Sequence, residues 1–129
     1  MASITIVDES TMGQKRAWSL DILEEALSLR ELIRRRIYQE VTEFNARQVL
    51  DFNGLVQPSD AERSLNGYRL KKAQKLNWET QYKRALEAFK GHGIIVLVDD
   101  KQVDDLDAII TLHAGSEITF FKLVPLVGG

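Results

Sequence analysis

A chain of 129 residues with 17 basic and 19 acidic side chains fits one domain with a real core, and its net charge of −2 gives no bulk reason to expect nucleic acid or membrane as a partner. Cysteine is absent, which excludes a disulfide framework, a thiolate metal site and a cysteine nucleophile. No stretch approaches the ~20 apolar residues of a membrane span, and Met1-Ala2-Ser3-Ile4-Thr5-Ile6 has no basic region followed by a long apolar run, so a soluble, cytoplasmic protein is expected.

Residues 3–7 alternate in the manner of a strand with one buried face, and residues 8–13 supply turn chemistry. Residues 15–22 put Trp18, Leu20 and Ile22 on one side, which predicts the second arm of a hairpin. Ser28-Leu29-Arg30-Glu31 is a capping-box sequence and opens a helix. Leu29, Leu32, Ile33, Ile37, Val41 and Phe44 then form one apolar stripe, expected to pack on the sheet. The opposite face carries Arg30, Glu31, Arg34, Arg35 and Glu40, with Arg36 at its edge. Glu31 with Arg35, and Arg36 with Glu40, stand at i,i+4 spacing, which favours a solvated ion-paired face over a phosphate or RNA surface.

Between about residues 47 and 92 the character changes. Asn53-Gly54, Pro58-Ser59-Asp60 and Asn66-Gly67 are turn signals, and Arg63, Arg69, Lys71, Lys72 and Lys75 make the stretch locally basic. Irregular structure with short helical pieces is expected. Asn77 is a good N-cap for a second helix over 78–90, stopped by Gly91. Trp78, Tyr82, Ala85 or Leu86, and Phe89 share one face of it, which at helical spacing favours core over a partner surface. Tyr68 among its basic neighbours offers a nucleic-acid stacking patch as the lesser reading.

After Gly93 the chain returns to sheet. Residues 94–98 form a continuous apolar run, expected as a strand buried on both faces, and Asp99-Asp100 turns it. Residues 103–110 add a short strand or turn, and Ala114-Gly115-Ser116 leads into a terminal strand. Asp99, Asp100, Asp104, Asp105 and Asp107 lack the twelve-residue calcium loop and read as turn formers, so no metal site is assigned. His92 and His113 are solitary and read as turn or surface residues.

Two strands, a helix and further strands with the last one central is the order of a β-grasp domain. Residues 93–107, the run Ala114-Gly115-Ser116-Glu117-Ile118-Thr119-Phe120-Phe121 and the terminal Gly128-Gly129 resemble the closing half of the ubiquitin-like and sulfur-carrier proteins. Within that superfamily the chain is similar to the molybdopterin-synthase small subunit and the thiamine sulfur carrier. The resemblance covers 1–45 and 93–129 and leaves out the middle. It implies an α+β fold: a β-grasp mixed sheet packed on one main helix, spanning 1–129 as one domain. A partly helical insertion at about 47–92 interrupts it, and a protruding tail at 123–129 follows. The ten residues from Phe120 to Gly129 make a longer tail than the sulfur carriers have, closer to the ubiquitin-like modifiers.

The resemblance also implies the chemistry. A ubiquitin-activating-type adenylating enzyme would use ATP and magnesium to adenylate the carboxylate of Gly129, and a transfer enzyme and a deconjugating protease would complete the partners. The chain itself would be no enzyme and hold no cofactor. Gly128 and Gly129 lack Cβ atoms, so the end can thread a narrow channel. Pro125 removes an amide donor and discourages further pairing, leaving Leu126 and Val127 as an apolar arm for a partner to grip. Three functions stay open: a modifier conjugated to protein amines, a sulfur carrier with a Gly129 thiocarboxylate, and a non-conjugated interaction module.

Overall fold

The computed structural model describes residues 2–47, 49–59, 61–64 and 67–123. Its elements are β1 (Ala2–Ser10), β2 (Lys15–Ile22), β3 (Ala26–Ser28), α1 (Leu29–Arg47), β4 (Asp51–Phe52), β5 (Ala61–Ser64), β6 (Gly67–Leu70), α2 (Trp78–Lys90), β7 (Ile94–Val98), β8 (Lys101–Val103), β9 (Ile109–Thr111) and β10 (Glu117–Lys122). The chain divides into two units, Met1–Leu32 with Phe89–Gly129, and Ile33–Ala88. No helix among the described residues is long and apolar enough to cross a membrane.

In the first unit the expected hairpin forms, with Ile4 opposite Leu20 and Glu9 opposite Lys15. Gly13 closes its turn at φ 83, a left-handed position that suits a residue without Cβ, and its amide donates to the Ser10 carbonyl at 3.0 Å. The whole sheet runs β2-β1-β10-β7-β8. β10 pairs parallel with β1 on one side and antiparallel with β7 on the other, so the last strand is central. The register brings Ile6 beside Ile118 and Phe120 beside Val96, and the alternation buries Ile4, Ile6, Leu20, Ile22, Val96, Ile118 and Phe120 on one face.

β7 departs from expectation. Ile94 and Val96 are buried, but Ile95, Leu97 and Val98 are only partly so. An unbroken apolar run suggests two covered faces, whereas an antiparallel strand needs only one. The turn after it is as expected: Asp99 (φ 47) and Asp100 (φ 69) form a two-residue loop between the paired Val98 and Lys101. Both are left-handed, the geometry that matches strand twist and that aspartate tolerates better than most residues.

α1 begins where its capping sequence predicts. Ser28 Oγ accepts from the Glu31 amide at 3.1 Å, while the Leu29 and Arg30 amides donate to the carbonyls of Ala108 and Leu106 at 3.0 and 2.8 Å. Three of the four amides that a helix start leaves orphaned are thereby satisfied. β3 pairs with β9, Leu27 opposite Ile110, which holds the 104–111 loop against this helix start.

The second unit is not irregular. It contains a three-stranded sheet of order β4-β6-β5, with Phe52 opposite Tyr68 and Arg63 opposite the same Tyr68. Strands of two to four residues are too short to display a period of two, so only the turn signals between them show in the sequence. Gly67, at φ 153, lies so close to β4 that an added Cβ would come within 2.7 Å of the Phe52 carbonyl oxygen. α2 starts as predicted, with Asn77 Oδ1 accepting from the Thr80 amide at 2.9 Å. Beyond its end the left-handed residue is His92 (φ 62) rather than a glycine, and the His92 amide donates to the Phe89 carbonyl at 3.1 Å.

Candidate functional site

Gly129, Gly128, Val127, Leu126 and Pro125 lie outside the described residues, so the structure describes only the root of the tail. Lys122 ends the central strand and its carbonyl accepts from the Thr11 amide at 3.1 Å, while Leu123 donates its amide to the Gly93 carbonyl at 2.9 Å. Leu123 is then 37 % exposed. The chain therefore leaves the sheet between the first hairpin turn and the turn that follows α2. Beside Gly93 opens a groove of about 370 Å³, lined among others by Arg30, Phe89, Lys90, His92, Gln102 and Leu106. Arg30 pairs with Asp107 Oδ1 at 3.2 Å across its rim. The groove offers mixed charge and apolar surface, and among the described residues that line it none carries a serine or threonine hydroxyl.

The other polar residues singled out in the sequence are dispersed. His113 is not solitary: its Nε2 lies 3.4 Å from Asp99 Oδ2, and its Nδ1 lies 3.1 Å from the Ala114 carbonyl. Asp105 Oδ1 accepts from the Asp107 amide and so closes a local turn, whereas Asp99 Oδ1 accepts from the amide of Glu117, eighteen residues away at the start of β10, each at 2.9 Å. Among the described residues no three histidine or acidic side chains gather as metal ligands.

In the second unit the solvated-face reading of α1 fails at one pair. Arg36 is fully buried and Glu40 nearly so, joined by Arg36 Nη2 donating to Glu40 Oε2 at 2.8 Å. The other carboxylate oxygen of Glu40 accepts from the Leu55 amide at 3.1 Å. Residues 55–59 are tied to α2 as well, through Gln81 Nε2 to the Val56 carbonyl at 3.1 Å and Arg84 to the Gln57 carbonyl and Ser59 Oγ at 3.1 and 2.7 Å. A segment without regular structure is thereby held by side chains from both helices, which is the usual fate of buried backbone polar groups.

Tyr68 is buried, so it forms no exposed stacking patch. Burial pushes its phenol above the usual value near 10, the Arg63 charge pulls the other way, and the Glu40 charge adds to the rise. An unfolded chain releases this proton first as pH rises. The stability Tyr68 contributes is therefore intact below about pH 10 and is lost as pH climbs through the folded-state value. Urea midpoints measured across that range should fall more steeply for the parent chain than for Tyr68→Phe.

α2 also turns differently from its predicted face. Gln81, Ala85 and Phe89 are its buried positions, while Trp78, Tyr82 and Leu86 are half-buried. Gln81 can go inside because its amide has the Val56 carbonyl to donate to. Trp78 instead meets Tyr38 of α1 edge to face, ring centroids 5.4 Å apart at 81°, and Tyr82 at 6.4 Å. The Arg34 guanidinium lies 5.9 Å from the Trp78 ring centre, and Tyr38 is 50 % exposed. The sequence signal for this cluster is two i,i+4 pairs, Arg34 with Tyr38 and Trp78 with Tyr82, whose meeting no local pattern announces.

No known protein family, curated protein or solved structure matches the chain.

Proposed function

We propose that the chain is a ubiquitin-like protein of β-grasp fold whose Gly129 carboxylate is activated by a separate adenylating enzyme and transferred to a protein amine. The observation that carries this reading is the sheet order β2-β1-β10-β7-β8, with β10 central and parallel to β1. An N-terminal hairpin, a helix and a returning strand inserted beside the first is the β-grasp order, and Gly128-Gly129 follows that central strand in the sequence.

In this reading a Gly129 carboxylate oxygen attacks the α-phosphorus of ATP and pyrophosphate leaves. An amine then attacks the acyl carbon, AMP departs and an amide remains. Acid, base and magnesium belong to the partner enzyme. Gly129 must carry a free carboxylate, which the intact mass of the chain reads directly. Expression in the native host, beside a variant lacking Gly128 and Gly129, should yield higher-mass adducts linked by an amide at Gly129 in the parent alone. A mass gain equal to sulfur replacing one oxygen would make the chain a sulfur carrier instead. Unmodified mass in both chains would overturn conjugation and leave an interaction module.

A further inference from the structure

The whole-chain charge of −2 conceals an uneven distribution. The first unit holds 6 basic and 12 acidic residues, whereas Ile33–Ala88 holds 11 basic and 7 acidic ones. The second unit also carries the aromatic cluster of Tyr38, Trp78 and Tyr82, with the Arg34 guanidinium over Trp78. We infer that this unit binds single-stranded nucleic acid, its bases stacking on the Tyr38, Trp78 and Tyr82 rings and its phosphates meeting the exposed lysines of the same unit. Such binding is independent of the tail chemistry.

Three observations favour that occupant. Lys71, Lys72, Lys75 and Lys83 are all exposed, three of them in the segment leading into Trp78 and the fourth next to Tyr82. That segment is pinned rather than loose: Asn45 Nδ2 donates to the Leu76 carbonyl at 2.9 Å, and Asn45 Oδ1 accepts from the Leu76 amide at 2.7 Å. A lysine-bearing segment is thereby tied to the helix that presents Tyr38. Finally, among the unit's described positions the exposed large apolar residues are Tyr38 and the lone aliphatic Val49, so no extended aliphatic patch stands among them. A protein-docking groove for an amphipathic helix would need the opposite.

Aromatic faces accept any unpaired base, and cations track the backbone, so binding should follow strandedness more than sequence. Base pairs in a duplex keep their faces covered. The unit's positive balance favours a polyanion even though Glu79 shares the first turn of α2 with Trp78.

The test is fluorescence anisotropy of a labelled oligothymidylate, with the full chain in low-salt buffer. Saturable binding is expected, weaker for a duplex of the same length, and accompanied by quenching of tryptophan emission. Trp78→Ala should weaken binding by roughly ten-fold or more. Because that variant removes a half-buried ring, the exposed pair Lys71→Glu with Lys75→Glu serves as the second. It should weaken binding and flatten the dependence of log affinity on log salt by about 0.7 for each phosphate no longer neutralised. No binding at low salt would overturn the inference, as would unchanged affinity in both variants. Equal binding of polyglutamate would assign the surface to an acidic protein and overturn it too, and so would concentration-dependent self-association blocked by Lys71→Glu with Lys75→Glu in a chain that ignores the oligonucleotide.

Discussion

Glu40→Ala is expected to destabilise the Ile33–Ala88 unit by about 3–5 kcal/mol, because it strands the fully buried Arg36 without the carboxylate that it donates to. The same change removes the acceptor for the Leu55 amide, so one truncation takes away both a countercharge and a backbone acceptor. Glu40→Gln separates the two losses, since it keeps an acceptor oxygen for Leu55 and removes only the charge. Its cost should fall between those of the parent and of Glu40→Ala. Replacing both charges, Arg36→Met with Glu40→Gln, which keeps an acceptor for the Leu55 amide, should recover most of the stability, because a buried pair is costly to break yet contributes little over neutral side chains of similar volume. Urea denaturation followed by circular dichroism reads all three. A loss under about 1 kcal/mol for Glu40→Ala would mean that water reaches Arg36.

Phe120→Ala should cost about 3–5 kcal/mol, the range for deleting a large aromatic from a core. Phe120 is fully buried on the central strand, beside Asp8 of β1 and Val96 of β7, so strands on both sides limit how far the site can collapse. Phe121 provides the contrast: it lies on the opposite face and is half-buried, so Phe121→Ala should cost clearly less. Guanidinium denaturation gives the energies, and amide exchange along β10 shows where the loss is felt. If the tail is conjugated as proposed, Phe120→Ala should also lower adduct yield in cells in step with lost protection at Lys122, because the strand that opens is the one from which the tail departs. Equal costs for the two phenylalanines would contradict the sheet's register.

Much of the local structure was legible in the residues themselves. Alternation over 3–7 and 15–22, the Ser28 cap, the Asn77 cap and the Asp99-Asp100 turn all act within a few residues of the chain, and each forms where its pattern indicates. The centrality of β10 was expected from element order together with a resemblance, not from any property of residues 117–122 alone. The candidate tail was legible only as a motif, and its residues 124–129 lie outside the described region.

The second unit owes its form to partners far apart in the chain. β4, β5 and β6 are too short to carry a period and are held by pairing across the sheet, where Tyr68 of β6 stands opposite Phe52 of β4 and Arg63 of β5. Arg36 and Glu40 have the spacing of any solvated ion pair, yet in the fold both are buried and the Leu55 amide, fifteen residues along from Glu40, donates to the carboxylate. Gln81 is drawn inside by the Val56 carbonyl, and Trp78 meets Tyr38 on another helix. Capping, alternation and turn formation are settled by neighbours in the chain, so the amino-acid order determined them. Burial and the gathering of like charges depend on which distant segments come together, and folding alone supplies those neighbours.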